Sequence, residues 1–218
     1  MILRMQNAVP TLAHELAEKA VAGRLESYAG EVRRLLDAAY AVMARTGDID
    51  PRVGDIVKEA GLSNQAFYRH FAGKDALFVA VLDDGQRRLV ETLERRMQRA
   101  EPGTPRVRAW IEGVLEQARN PEAAKNTRPF AINGVRLNDR FPTEAAASKE
   151  RLIAPLRDAI VDAGGDRVRD TAAVHELAMG TMNRFLVERR TPGPADIAHV
   201  VRFALAGLAS AKEADRGT

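Results

Sequence analysis

Apolar residues return every three or four positions along most of the chain, the period of a helix with one buried stripe. No stretch alternates in the manner of a half-buried strand. Thr11 is placed to cap a short helix over residues 12–22, with Leu12, Leu16 and Ala20 in a thin stripe and Gly23 at its end. From Tyr28 to Thr46, Val32, Leu35, Leu36, Ala39, Val42 and Met43 fall on one side and Arg33, Arg34 and Arg45 fall away from it, before Gly47 closes the run. Val53, Ile56, Val57 and Ala60 form the next stripe. Asp50 can cap that helix, Pro51 suits a first position whose N–H needs no partner, and Gly61 ends it. Ser63 then offers its hydroxyl to the free backbone N–H groups of a third short helix, where Phe67 and Phe71 share a face with Ala66 beside them.

A longer stripe runs from Asp75 to about Arg99 through Leu77, Phe78, Val81, Leu82, Leu89, Leu93 and Met97. The run E-P-G-T-P (Glu101–Pro105) is the clearest break. A helix from about Arg106 to Ala118 follows, centred on Val107, Trp110, Ile111, Val114 and Leu115. Residues 120–142 hold three prolines and a glycine, which predicts short helices and turns. Helices are expected again over 143–163, kinked or locally accommodated at Pro155, then over 166–190 and 194–211.

The helix at 64–71 carries the most specific chemistry. Its outer face presents Asn64, Gln65, Tyr68 and Arg69, which supply donors, acceptors, a phenol and a cation. No acidic residue occurs from Ala60 to Lys74. A short helix of this kind, set after a turn and a preceding helix, is the helix-turn-helix layout that a DNA major groove accepts. The run L-S-N-Q-A-F-Y-R-H-F-A-G-K-D-A-L (Leu62–Leu77) resembles the recognition helix and following turn of the TetR family of bacterial transcriptional regulators. L-L-D-A-A-Y-A-V-M-A-R-T-G (Leu35–Gly47) and V-G-D-I-V-K-E-A-G (Val53–Gly61) are similar to that family's first two helices. The specific likeness covers about Val32 to Leu82. One position departs: Arg52 stands where the family usually has a threonine that caps the second helix and touches phosphate. Arg52 is then left to reach a phosphate as a charged donor.

The resemblance implies an all-α protein with an N-terminal three-helix DNA-binding domain (25–73), a C-terminal helical ligand-binding and dimerisation domain (74–218) and an extension at 1–24. It implies a homodimer through the last two helices, a palindromic operator on double-stranded DNA and a repressor released by a small molecule. Asn64 and Gln65 amides can pair with adenine in the groove, and Tyr68 faces it beside them. The likeness assigns Tyr68 and Lys74 mainly to phosphates, with Ser63 and His70 as helpers; His70 can equally sit at the edge of the core. Arg69 and Arg52 complete the candidate DNA-binding set. Lys74 also opens a helix, whose free N–H groups attract the same phosphate. Trp110, Phe130, Asn133, Leu137, Phe141, Met179, Met182 and Asn183 lie on segments that can enclose a mostly apolar effector, although the methionines are equally plain core. The extension admits two readings, an arm touching DNA through Arg4, Lys19 or Arg24, or a helix packed on the first domain or frayed from it. The second is the simpler.

Composition narrows the alternatives. Of 218 residues, 45% are hydrophobic, enough for a core, and only 5% are aromatic. The chain has no cysteine, so no disulfide and no thiolate ligand or nucleophile. Net charge is +3, and basic and acidic residues balance from residue 1 to 75, so local placement rather than overall charge must carry phosphate affinity. His14, His70, His175 and His199 are in no metal-ligand spacing, and no nucleophile elbow, P-loop or dinucleotide fingerprint occurs. No catalytic residue, cofactor or metal is therefore expected. Without an N-terminal signal core or a long apolar run, a cytoplasmic protein away from the membrane is expected. The final segment, D-I-A-H-V-V-R-F-A-L-A-G-L-A-S-A, is apolar over more of its circumference than one stripe needs. Ala204, Gly207 and Ala211 would allow close helix approach, as a dimer pair or as a buried helix.

Overall fold

The computed structural model describes residues 11–216, with side chains through residue 209. All regular structure among them is α-helical: α1 (Leu12–Thr46), α2 (Val53–Ala60), α3 (Asn64–His70), α4 (Lys74–Gln98), α5 (Thr104–Arg119), α6 (Pro121–Ile132), α7 (Gly134–Arg140), α8 (Pro142–Asp162), α9 (Arg169–Val187) and α10 (Pro194–Arg216).

Two cores form. Leu35, Ala39 and Met43 of α1, Ile56 and Val57 of α2, Phe67 of α3, and Leu77, Phe78 and Val81 of α4 pack together at the N-terminal end. The second core gathers Leu93 and Met97 of α4 with Trp110, Ile111, Val114, Leu156, Ile160, Ala178, Met182, Phe185 and Val201 from α5, α8, α9 and α10. Helix α4 serves both cores, its first half one and its second half the other. The α6–α7 segment crosses over: Leu137 and Phe141 are buried in the N-terminal core, with Phe141 stacked on Phe78 at 5.3 Å between ring centroids. Phe130 packs against the same core.

Three local expectations are corrected. Thr11 does cap α1, accepting from the His14 N–H, but the helix runs through Gly23 to Thr46 without a break. A glycine ends a helix when it takes the left-handed conformation; Gly47 does so at φ 72°, and Gly23 does not. The residues from 12 to 27 are exposed, including Leu12, Leu16, Val21 and Leu25, so the segment is neither frayed nor packed on the domain but projects from it as a continuous helix. The suggested arm residue Arg4 lies outside the described residues. Asp50 does not cap α2: Arg52 occupies that position with no side-chain cap bond, and the Asp50 carboxylate is taken by Lys74 and Arg140. Gly61 closes α2 as expected, at φ 62°, where a side chain would be strained. Ala204 is buried within the chain, Gly207 is exposed, and the side chain of Ala211 lies outside those described.

Candidate nucleic-acid interface and a cleft behind it

Helix α3 is set by its two ends and one face. Ser63 Oγ accepts from the Ala66 N–H at 3.1 Å, as its position predicts. Phe67 is fully buried and Phe71 nearly so, their rings 5.7 Å apart, which fixes the rotation of the helix about its axis. That rotation leaves Asn64, Gln65, Tyr68 and Arg69 on the outside. Tyr68 is 61% exposed, and its ring meets Phe67 edge-on, so the phenol stands outward on a fixed base. Arg52 is also exposed, with no side-chain bond at the start of α2.

The structure gives Arg69, His70 and Lys74 acidic partners. Glu31, on α1, receives Arg69 at 2.5 Å and His70 Nε2 at 2.6 Å. Tyr28 adds its ring face beneath the Arg69 guanidinium and an edge contact with His70. His70 is thus a nearly buried tie between α3 and α1 rather than an outward donor. Lys74 lies 2.7 Å from Asp50 and is half-buried, on the same side as Arg140 of α7, which also pairs with Asp75. A phosphate at Lys74 would have to compete with, or sit beside, this carboxylate.

The hydrogen bond from His70, and then that from Arg69, hold the Glu31 carboxyl below its usual range of 4.5. Because the folded-state value is depressed, the stabilisation it provides is present above 4.5 and is lost as pH falls through the lowered value. Glu31→Gln is therefore expected to be less stable than the wild type near neutrality, with the gap closing as the solution is acidified below the ordinary glutamate value. Urea midpoints at several pH values test this; a gap that does not change with pH would remove Glu31 as the cause.

Behind this face the two cores leave a cleft of about 470 Å³ between α1, α4, α5 and α6. Tyr40 of α1 and Phe130 of α6 stand at its walls, their rings edge-to-face at 6.1 Å, with Val81, Leu82 and Leu89 of α4 beside them. Tyr40 donates to the Val81 carbonyl at 2.7 Å, and burial pushes its phenol well above the usual range. Its hydroxyl lies 2.5 Å from where a Cβ on Gly85 would sit, so a side chain at that position would have to displace the Tyr40 phenol.

Of the eight residues offered as an effector lining, Phe130 alone is on this cleft. Trp110 and Met182 are sealed in the C-terminal core, with Met179 packed against it. Leu137 and Phe141 belong to the N-terminal core. Asn133 turns its amide back to the Pro129 carbonyl at 2.8 Å, and Asn183 is half-buried on α9. The residues that the sequence did not single out are Glu31, Tyr28, Arg140, Tyr40 and Gln86. Most act across 38 or more positions of chain, a distance at which no periodicity speaks.

The family model for bacterial regulatory proteins of the tetR family matches residues 35–81, the span from α1 through the first third of α4. The HTH-type transcriptional regulator BetI of Brucella anthropi is 37% identical over 79 residues, covering 36% of this chain and 41% of that protein. The chain thus matches about two fifths of the length of such curated relatives. A TetR-family transcriptional regulator from Streptomyces coelicolor has the same fold over 84% of this chain and 96% of its own, with a TM-score of 0.66 at 19% identity. The Bacillus subtilis regulator FadR, solved in complex with stearoyl-CoA, superposes with a TM-score of 0.58 at 13% identity, over 81% of this chain and 96% of its own. Residues 35–81, with the geometry of α2 and α3, thus carry the DNA-binding domain of the tetR family of bacterial regulatory proteins, set in a chain whose all-helical fold is shared with solved TetR-family regulators.

Proposed function

We propose that the chain is a transcriptional regulator that binds a palindromic operator as a homodimer and acts as a repressor released by a small effector with an apolar body. The observation that carries this is the outer face of α3: free of acid, fixed by Phe67 and Phe71, and projecting Asn64, Gln65 and a 61% exposed Tyr68. Such a face suits base edges and phosphates in a major groove. Ser63, Arg69, Lys74 and Arg52 flank it and supply backbone contacts. His70 serves by holding α3 to α1.

A single reader helix binds weakly, and two-fold symmetry doubles its contacts. Phe203 on α10, 66% exposed, and Val187 on α9, 53% exposed, lie on the helix pair assigned to the dimer, where Gly180 and Gly207 have open space above them. The effector reading is supported by the cleft, which has one wall on α1 of the reader domain and the others on α4, α5 and α6. A molecule wedged there changes the angle between α1 and α4, and with it the separation of the two reader helices. These must span successive major grooves ~34–36 Å apart. The B. subtilis FadR relative holds stearoyl-CoA, which is compatible with an effector of apolar body. No helix of the described residues is long and apolar enough to cross a membrane, and we place the protein in the cytoplasm with its DNA.

Selection of bound fragments from the source genome, followed by affinity measurements at several salt concentrations, tests the reading. Tyr68→Ala and Lys74→Ala are each expected to weaken binding to the recovered site. Lys74→Ala should also flatten the salt dependence by about one unit of log–log slope for each phosphate that the lysine neutralises. Failure to enrich any sequence, or binding indifferent to both substitutions, rules the reader assignment out.

A further inference from the structure

The lining of the cleft behind the reader domain has a specific polarity. Charged groups at its rim balance, and two of them are already engaged. Asp37 is paired with Arg33 at 2.5 Å, and Arg88 with Asp84 at 3.1 Å. Glu122 and Lys125, on α6, are of opposite sign and both exposed. An anionic or cationic head group entering the cleft therefore meets no net countercharge, and losing its hydration there is uncompensated.

The neutral polar lining is different. Gln86 on α4, Gln117 on α5, and Asn126 and Thr127 on α6 all line the cleft, and none makes a side-chain hydrogen bond among the described residues. The Gln86 side-chain carbonyl is buried without a partner. Buried acceptors are nearly always paired, and Gln86 is one of the residues that line the cleft, so a small rotation of its side chain would offer the unpaired carbonyl to a donor brought by a guest. The same lining holds the Tyr40 and Phe130 rings and the Val81, Leu82 and Leu89 side chains.

We infer that this cleft takes an uncharged molecule with a ring-sized apolar body and hydrogen-bonding amide or hydroxyl groups, a donor of which meets Gln86. The inference rests on the cleft being the effector site. It differs from a fatty-acid or acyl-anion reading in requiring neutrality. The apolar body lies against Tyr40 and Phe130, and the polar groups turn towards α4, α5 and α6.

Three probes that share one body and differ in charge decide it: 2-naphthamide, 2-naphthoate and protonated 2-naphthylmethylamine, titrated calorimetrically into the full chain. Naphthamide is expected to bind at least about tenfold more tightly than either ion, the scale of one good hydrogen bond kept and one charge not stranded. Gln86→Leu preserves volume and should remove most of that preference. Ala123→Trp, or Thr127→Trp should the first fail to fold by circular dichroism, fills the cleft and should abolish binding of all three. Naphthoate or the ammonium binding as tightly as naphthamide, with both abolished in the blocked variant, overturns the neutral-ligand inference and leaves the cleft as effector site. No binding by any probe, or binding untouched by the blocking substitution, overturns the cleft reading and this inference together.

Discussion

Phe67→Ala is expected to cost about 3–5 kcal/mol of folding stability and to abolish operator binding at working temperatures. The residue is fully buried, at the point where α3 meets α1, α2 and α4. Removing the ring deletes its packing on Phe71, 5.7 Å away, and the edge-on support that seats Tyr68, 5.1 Å away. A helix as short as α3 has little intrinsic stability, so its rotation depends on this anchor more than on its own hydrogen bonds. Total stabilities of natural domains are about 5–15 kcal/mol, so the loss is a large fraction of the whole. Chemical denaturation of wild type and variant, read beside DNA binding, checks it. A shift below about 1 kcal/mol, or an operator affinity close to the wild type, would mean that α3 is held by something else.

Trp110→Ala should cost a comparable 3–5 kcal/mol but act on the other core. The indole is fully buried on α5 and donates to the Leu152 carbonyl of α8 at 3.2 Å, beside the His175 ring of α9. Burial pushes the His175 imidazole below its usual range, so a cavity at Trp110 that admits water also makes protonation of this histidine easier. Because α5 packs on α9 and α10, the damage is expected to spread to the proposed dimer pair. Thermal unfolding followed by far-ultraviolet circular dichroism, with dimer content measured by sedimentation, is the check. If Trp110→Ala melts within a few degrees of the wild type, the C-terminal core is not organised around the indole.

Most of the helices were legible because burial imposes a 3.6-residue period on the chain. The stripe of Val53, Ile56, Val57 and Ala60 identified α2, and Phe67 with Phe71 identified the inward face of α3. Caps were legible where a short side chain must meet its own neighbouring backbone, as Ser63 and Thr11 do. The cap expected of Asp50 failed for a non-local reason. Two cations far along the chain, Lys74 and Arg140, compete for the carboxylate and hold its pKa below the usual range. The break expected at Gly23 failed because a glycine permits a left-handed turn without requiring one, and the surrounding helix formers continued through it.

The effector lining was the least legible part. Aromatic and methionine residues such as Trp110 and Met182 have the chemistry of a binding pocket and of a core alike, and packing put them in the core. The cleft arises where α1 and α6 fail to close over α4, and its distinctive residue is a glutamine that looks like any surface glutamine in the sequence. By itself, then, the sequence determined what local forces control: the helical period, the capped reader helix, its acid-free outer face and the family motif. Only the tertiary structure decided which polar groups meet across the fold. It put Glu31 on Arg69 and His70, and Asp50 on Lys74. It also brought Tyr40 against Gly85 and left the Gln86 carbonyl unpaired beside a cleft. Such pairings depend on the distances between helices, which are set by the packing of whole faces and not by the spacing of residues along any one of them.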